Sequence, residues 1–302
     1  MELNTADLNQ QLEQLPRLPH YYVAFSGGVD SHVLLHMMAQ LRQQHPELNV
    51  SAIHIHHGLQ REAEEWVKHC QTVCQQLDIN IQVIHVSVSD KGSLEAAARD
   101  ARYNAFKKVV QAGEGLLLAH HLDDQAETLL LQLFRGAGVA GLSAMPPINE
   151  LEGGWLLRPL LDMPRQHIEA YAKSNNLHWI EDPSNTNSEF DRNFIRHNVM
   201  PLLTQRWPSL TNTLSRAASH QAEAAGLLDV LAEQDYRVCK GAHQEQHTLS
   251  VSSLLQLEPA RQRNILRYWI RQVCQLPLPD TRHMQRILSE VLTASEDATP
   301  LV

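Results

Sequence analysis

Three short stretches of this 302-residue chain hold residue types that can do chemistry, at spacings that let them act together. In the first, Ser26-Gly27-Gly28-Val29-Asp30-Ser31, the paired glycines open backbone angles closed to other residues and let the main chain approach a ligand closely. The hydroxyls of Ser26 and Ser31 add hydrogen-bonding groups, and Asp30 or Ser31 is suited to cap the helix that follows. The first N–H groups of such a helix point outward unpaired and favour an anion, so the loop reads as a phosphate cradle. It has neither the lysine of a Walker A loop nor the spacing of a dinucleotide-binding turn. In the second stretch, His120-His121-Leu122-Asp123-Asp124-Gln125-Ala126-Glu127-Thr128, Asp124 and Glu127 stand three apart and so share one helix face. Two carboxylates beside a phosphate site suit Mg²⁺ or a substrate ammonium, while capping of the first helical turn is the plain alternative. The third runs from Ile180-Glu181-Asp182-Pro183-Ser184-Asn185 into Asp191-Arg192-Asn193-Phe194-Ile195-Arg196, with two arginines four apart.

The elements that would carry these groups alternate. Tyr21 to Phe25 is an apolar run, and Val33 to Met38 continues in a helical pattern to about Gln44, after a short amphipathic helix over residues 5–15. Strands are predicted at Val50–His56, Ile81–Val86 and Leu116–Ala119, and helices at Glu62–Leu77, Leu94–Gln111 and Asp123–Phe134. This order predicts an α/β fold, a Rossmann-like parallel sheet with helices on both faces. Ligands bind at the carboxyl ends of such strands, where the glycine loop, His56-His57-Gly58 and His120-His121 all fall. The second half is less regular. It has a glycine-rich connection at Arg135–Gly141, a turn at Gly153-Gly154, and a helix at Met163–Asn175 with Pro164 in its first turn. From Leu210 to about Cys239, and again over 259–274 and 281–293, the pattern is helical. The expected division is a catalytic domain over residues 1–208 and a mainly helical domain over 209–302.

A hydrophobic content of 43% and a charged content of 20% describe an ordinary globular chain. No apolar run is long enough for a transmembrane helix, and the polar start Met1 to Asp7 is not a signal peptide, so a cytoplasmic location without a membrane partner is expected. Four cysteines without a Cys-x-x-Cys pair read as buried or partly buried free thiols, and 18 histidines, most of them scattered, do not imply a metalloprotein. The net charge of −9 argues against nucleic-acid binding through bulk electrostatics. A local exception is the stripe Arg263, Arg267 and Arg271, opposite the apolar Ile265, Leu266, Trp269, Ile270 and Val273; it reads either as a phosphate grip or as a solvated helix face. The close, Ala298 to Val302, has no polar tail and reads as a chain that continues.

The glycine loop resembles the PP-loop, Ser-Gly-Gly-x-Asp-Ser, of the ATP pyrophosphatase superfamily, whose members cleave ATP between its α and β phosphates. The second stretch, with Arg135-Gly136-x-Gly138, Gly141-Leu142 and Ala98-Arg99-x-x-Arg102-Tyr103-x-x-Phe106, resembles the tRNA-modifying branch. The third, with Val199-Met200-Pro201-Leu202-Leu203 and His54-Ile55-His56-His57-Gly58-Leu59, resembles the tRNA(Ile)-lysidine synthetase family over about residues 20–207, and more loosely beyond. That resemblance implies a carbon–nitrogen ligase with ATP and Mg²⁺ as cofactors, and a tRNA(Ile) with a CAU anticodon and L-lysine as partners. The wobble cytidine would be adenylated at C2, and the lysine ε-amine would then displace AMP, leaving lysidine and changing the codon read from AUG to AUA. It implies ATP binding by Ser26, Gly27, Gly28, Val29, Asp30, Ser31, His54 and Arg102, with Asp30 as the Mg²⁺ ligand. Arg99 and Arg102 would meet phosphate oxygens, with a solvated helix face as the plain alternative; Asp124 and Glu127 would hold the lysine amine, and Arg192 and Arg196 would serve the α-phosphate or the tRNA. Asn193 fixes their loop, and Arg263, Arg267 and Arg271 bind tRNA. The family commonly carries a further C-terminal domain not seen in this chain. Self-association is left open. A related tRNA cytidine thiolase is the alternative, but it needs sulfur carried by Cys-x-x-Cys pairs. A non-catalytic tRNA-binding module is the other, and the intact Asp30, Asp124 and Glu127 speak against it.

Overall fold

The computed structural model describes residues 3–15, 17–58, 62–88, 94–240 and 248–292. Leu59 and the terminal Ala298 to Val302 lie outside the described residues, as does the last residue of the 281–293 segment.

The expected alternation is present as α1 (Thr5–Glu13), β1 (Tyr21–Ala24), α2 (Val29–Gln44), β2 (Val50–His56), α3 (Ala63–Gln76), β3 (Asn80–His85), α4 (Leu94–Val109), β4 (Gly115–Leu117) and α5 (Leu122–Phe134). After α6 (Val139–Leu142) come β5 (Ile148–Leu151) and β6 (Gly154–Leu157), then α7 (Arg165–Ser174). The strands form one six-stranded sheet in the order β3-β2-β1-β4-β6-β5. All neighbours are parallel except β5 and β6, which form an antiparallel hairpin across Glu152-Gly153. This edge hairpin adds one antiparallel pair to the expected parallel sheet: β5, Ile148-Asn149-Glu150-Leu151, is short and half polar because it is an edge strand with one side in solvent.

Helices cover both faces. On one, α2 buries Val33, Leu34, Leu35, Met37, Met38 and Leu41 against β1 and α7, which contributes Ile168, Tyr171 and Ala172. On the other, Phe106 of α4 and Val110 just beyond it pack on Ile53, Leu116, Leu118 and Leu156. Each fully buried side chain of this size contributes about 1.5–3 kcal/mol. The strand order reverses direction between β1 and β4, so the loops after these two strands part to opposite sides and leave a crevice.

A second, smaller cluster fixes the third sequence stretch. α8 (Asp191–Phe194), a π-helical segment (Ile195–Val199) and α9 (Met200–Arg206) follow one another. Ile195 and Met200 bury against Ala126 and Leu130 of α5, with Leu210 and Leu214 at the start of α10 (Leu210–Cys239) packed on the same cluster. By its packing the chain parts into two compact units between Ser219 and His220, within α10. The physical reason is this packing, which ties the first turns of α10 to the unit that holds the sheet.

The second unit contains the rest of α10, α11 (Val251–Leu255), α12 (Pro259–Tyr268) with a π-helical continuation to Val273, and α13 (Thr281–Arg286) with another to Val291. Its core joins Cys239, Leu254, Ile265, Leu266, Ile270, Met284 and Leu292. Among the described residues no helix is long and apolar enough to cross a membrane.

Candidate active site

The turn after β1 is a web of local hydrogen bonds. Ser31 Oγ donates to Gly28 O at 3.0 Å and accepts from Ser26 N at 3.2 Å, and the Ser26 and Ser31 hydroxyls lie 3.1 Å apart. The two glycines differ. Gly27 has φ +90°, and a Cβ there would lie 2.9 Å from Ile180 Cδ1, so only glycine fits. Gly28 has φ −75°, an ordinary angle, and a Cβ there would meet nothing closer than Ser26 Oγ at 3.5 Å. The expectation that both need special angles therefore holds for Gly27 alone. The expected cap is also corrected: Gly28 is the N-cap of α2, without a side-chain cap bond, because Asp30 and Ser31 lie already within the helix. The start of α2 is thus left open toward the crevice.

Asp30, on the first turn, has Oδ1 buried and without a hydrogen-bond partner, with His121 Nε2 at 3.8 Å. Burial pushes its carboxyl pKa up, while His121 and Arg165 pull against that. A cation would satisfy this oxygen, so Asp30 fits the Mg²⁺ ligand role at the level of one donor. Among the described residues no group of three or more His, Cys, Asp or Glu makes a closed metal site. His54 lies on the same wall with Nδ1 2.9 Å from Phe25 O, and burial holds its pKa below the usual value.

On β4's side, α5 opens with a reciprocal cap. His121 N donates to Asp124 Oδ2 at 3.1 Å, and Asp124 N donates to His121 Nδ1 at 3.4 Å. Asp123 turns the other way, and its Oδ2 accepts the Arg165 N–H that begins α7. The capping alternative therefore holds for one oxygen of Asp124, while its other oxygen, Oδ1, accepts from Arg196 Nη2 at 3.1 Å.

Arg196 ties the two carboxylates together. Its Nε donates to Glu127 Oε1 at 2.6 Å and its Nη2 to Glu127 Oε2 at 2.8 Å. Arg192, one turn back, donates from Nη2 to Thr128 Oγ1 at 2.5 Å, and its Nε lies 3.6 Å from Glu127 Oε2. Burial opposes the charge on Arg196, but Glu127 and Asp124 outweigh it and its pKa is raised. Burial likewise works to raise the pKa of Asp124, yet His121, His120, Arg192 and Arg196 hold it below the ordinary value. Asn193 anchors the loop beneath by donating to Ser184 O and Asn187 O, both at 2.9 Å.

These elements enclose a cavity of about 450 Å³. Ser26, Gly28, Asp30, Ser31, His54, Arg99, Arg102, Asp124 and Arg192 line it. Gly27, Val29, Glu127 and Arg196 do not: Glu127 is 2% exposed and lies under the Arg196 guanidinium. The wall also uses Trp66, Tyr103, His120, Asp182 and Ser184, to which sequence reasoning assigned no role. Asp182 and Ser184 belong to the third sequence stretch, and in the structure Ile180 N donates to Gly27 O, which draws their loop onto the glycine turn.

In the second unit the arginine stripe divides. Arg263 and Arg267 are exposed, whereas Arg271 is committed to Asp229, with Nη2 at 2.8 and 2.9 Å from its two oxygens.

Residues 3–203 match the family of the PP-loop domain, and residues 249–302 match the TilS substrate binding domain. The chain is 50% identical over 287 residues to the tRNA(Ile)-lysidine synthase of Pseudomonas putida, covering 94% of this chain and 66% of that protein. It is 47% identical to those of Coxiella burnetii, over 93% of this chain and 62% of the relative, and of Serratia proteamaculans, over 99% and 68%. The chain thus spans about two thirds of the length of these relatives. Among solved structures, a U34-tRNA thiolase from Methanococcus maripaludis that carries a [4Fe-4S] cluster superposes with TM-score 0.58 at 17% identity, over 72% of this chain and 78% of that one, a likeness of fold. By its two matched domains and by identity along almost its whole length, the chain belongs to the tRNA(Ile)-lysidine synthase family.

Proposed function

We propose that the chain is the ATP-dependent lysidine-forming ligase of its family: it adenylates C2 of the wobble cytidine of a tRNA(Ile) with a CAU anticodon and joins the ε-amine of L-lysine there. The observation that carries this is the meeting, around one cavity, of an anion-favouring helix start, the arginines Arg99, Arg102 and Arg192, and the carboxylate Asp124. The cytosine O2 is a poor leaving group, and attack on an α-phosphate converts it into a good one. Loop N–H groups and arginines stabilise the charge that develops on the departing pyrophosphate. Mg²⁺ held by Asp30 would supply electrostatic stabilisation of the same phosphates. Asp124 and Glu127 hold the lysine amine, and because Arg196 already covers both, lysine takes its place by exchange with that guanidinium.

The helical domain, expected from residue 209, carries the tRNA contacts, with Arg263 and Arg267 as the phosphate-facing pair and Arg271 mainly bracing α10 through Asp229. The thiolase reading is not favoured. Cys70 and Cys74 are buried, and burial pushes both thiols up to about 12, far from the thiolate such chemistry requires.

The test is mass spectrometry of the anticodon loop of tRNA(Ile) incubated with the protein, ATP and lysine, together with analysis of the nucleotide products. The expected result is a lysine adduct on the wobble cytidine with one AMP and one pyrophosphate per adduct. ADP and inorganic phosphate as the stoichiometric products would overturn the reading.

A further inference from the structure

A polar side chain of the cavity wall stands outside the hydrogen-bond network above. His120 lies three residues past the end of β4, and its ring lines the cavity. Arg158, which follows β6 and is 6% exposed, comes to it from behind. β4 and β6 are parallel with Leu117 opposite Leu157, so the chain leaves both strands at the same level. Arg158 Nε donates to His120 Nδ1 at 3.2 Å, while Nη1 donates to Pro146 O at 2.5 Å and Tyr103 lies beside the guanidinium.

A guanidinium has donors only. The Nδ1 of His120 must therefore present its lone pair, and a neutral ring must carry its proton on Nε2. That nitrogen has no hydrogen-bond partner among the described residues and lies across the ring from Arg158. The groups that face the ring are Asp124, Arg158, Arg192 and Arg102. Burial first, and then the three arginines, outweigh Asp124 and push the imidazole down to about 3, so it is uncharged throughout the neutral range.

We infer that His120 is a fixed-tautomer, uncharged hydrogen-bond donor, through Nε2–H, to a non-bridging α-phosphate oxygen of the bound nucleotide, and that Arg158 is the positioning residue that sets this tautomer. The inference rests on the adenylating reading above for the identity of its ligand. An uncharged donor suits this place. An imidazolium here would repel the incoming ammonium and offer a proton to the amine that must attack. The neutral N–H gives a directed bond to a phosphate oxygen and leaves the proton count of the amine alone.

The test has two arms. In the first, protein with ¹⁵N-labelled imidazole groups is examined by NMR, with the His120 signals identified from the His120→Gln variant. The expected pattern is a proton on Nε2 and none on Nδ1 from about pH 5 to 8, with the Nε2–H signal displaced by a non-hydrolysable ATP analogue. A proton on Nδ1, a charged ring at neutral pH, or an Nε2–H signal unmoved at saturating analogue would overturn the inference. In the second, pyrophosphate release is compared in His120→Gln, whose amide nitrogen reaches near the Nε2 position, and His120→Leu. The Leu variant is expected to lose roughly 100-fold in kcat and the Gln variant to regain most of it; a Leu variant within threefold of the wild type would overturn the inference. Arg158→Met should give a mixed tautomer and a lower kcat, and if that variant does not fold the His120 pair decides. If the wild type itself releases no pyrophosphate, the adenylating reading fails, while the NMR arm still reports on His120 by itself.

Discussion

Arg196 closes over Glu127 with two hydrogen bonds, 2.6 Å from Nε to Oε1 and 2.8 Å from Nη2 to Oε2, on a carboxylate whose side chain is only 3% exposed. A buried carboxylate stripped of its partner is costly, and removing one member of such a pair destabilises by about 3–5 kcal/mol. Arg196 is itself 22% exposed, which favours the lower end of that range. Arg196→Met should therefore cost about 3 kcal/mol in urea unfolding. The double variant with Glu127→Leu should recover most of that loss. A single-variant cost below about 1 kcal/mol would mean that the pair is no stronger than a surface ion pair.

The two PP-loop glycines should separate stability from function. Gly27→Ala forces a Cβ into Ile180 at a φ of +90° and should lower stability by about 1–3 kcal/mol. Gly28→Ala fits its φ of −75° and has 3.5 Å of clearance within the protein, so its Tm should stay near that of the wild type. Nucleotide affinity should nevertheless fall, because the methyl occupies space reserved for the phosphates. Calorimetry beside nucleotide titration checks both. A Gly28→Ala protein that binds ATP normally would mean that the phosphates do not approach this residue.

Asp30 makes the opposite trade. Its pKa is raised in the folded protein, so this group's contribution to stability is fully present below the unfolded pKa. That contribution is lost as pH rises through the folded pKa, and at neutral pH the bare carboxylate costs stability. Asp30→Asn should have a Tm at or above that of the wild type at pH 7 and no pyrophosphate release. Near-normal turnover in this variant would remove Asp30 from the chemistry.

How much of this was legible follows from how local each feature is. The strand, glycine turn and helix around Ser26–Ser31 depend on neighbours in sequence, and so does the shared helix face of Asp124 and Glu127. The fork of Arg196 onto Glu127 joins residues 69 positions apart and depends on Ile195 and Met200 packing against α5, which no periodicity reveals. Arg158 looks like the polar end of an apolar run, and only the register of β4 and β6 brings it behind His120. The β5–β6 hairpin was missed because Asn149 and Glu150 face water at the sheet edge and break the apolar signal.

The order of events at the amine site is the remaining consequence of the Arg196 fork. If lysine takes the carboxylates from Arg196, the two compete, and weakening the guanidinium should tighten lysine binding. Arg196→Gln keeps an amide donor for Glu127 but lacks the charge, and charge-assisted bonds are about twice as strong as neutral ones. Its KM for lysine should fall severalfold even as adenylation slows. Glu127→Gln should do the reverse, raising the KM for lysine and slowing lysine incorporation more than pyrophosphate release, so that adenylated tRNA accumulates. If the carboxylates instead hold Mg²⁺, Glu127→Gln should slow pyrophosphate release itself, and excess Mg²⁺ should partly restore it. Quenched-flow measurement of the two steps separates the cases. Equal slowing of both steps in Glu127→Gln, or a raised KM for lysine in Arg196→Gln, would rule out the exchange.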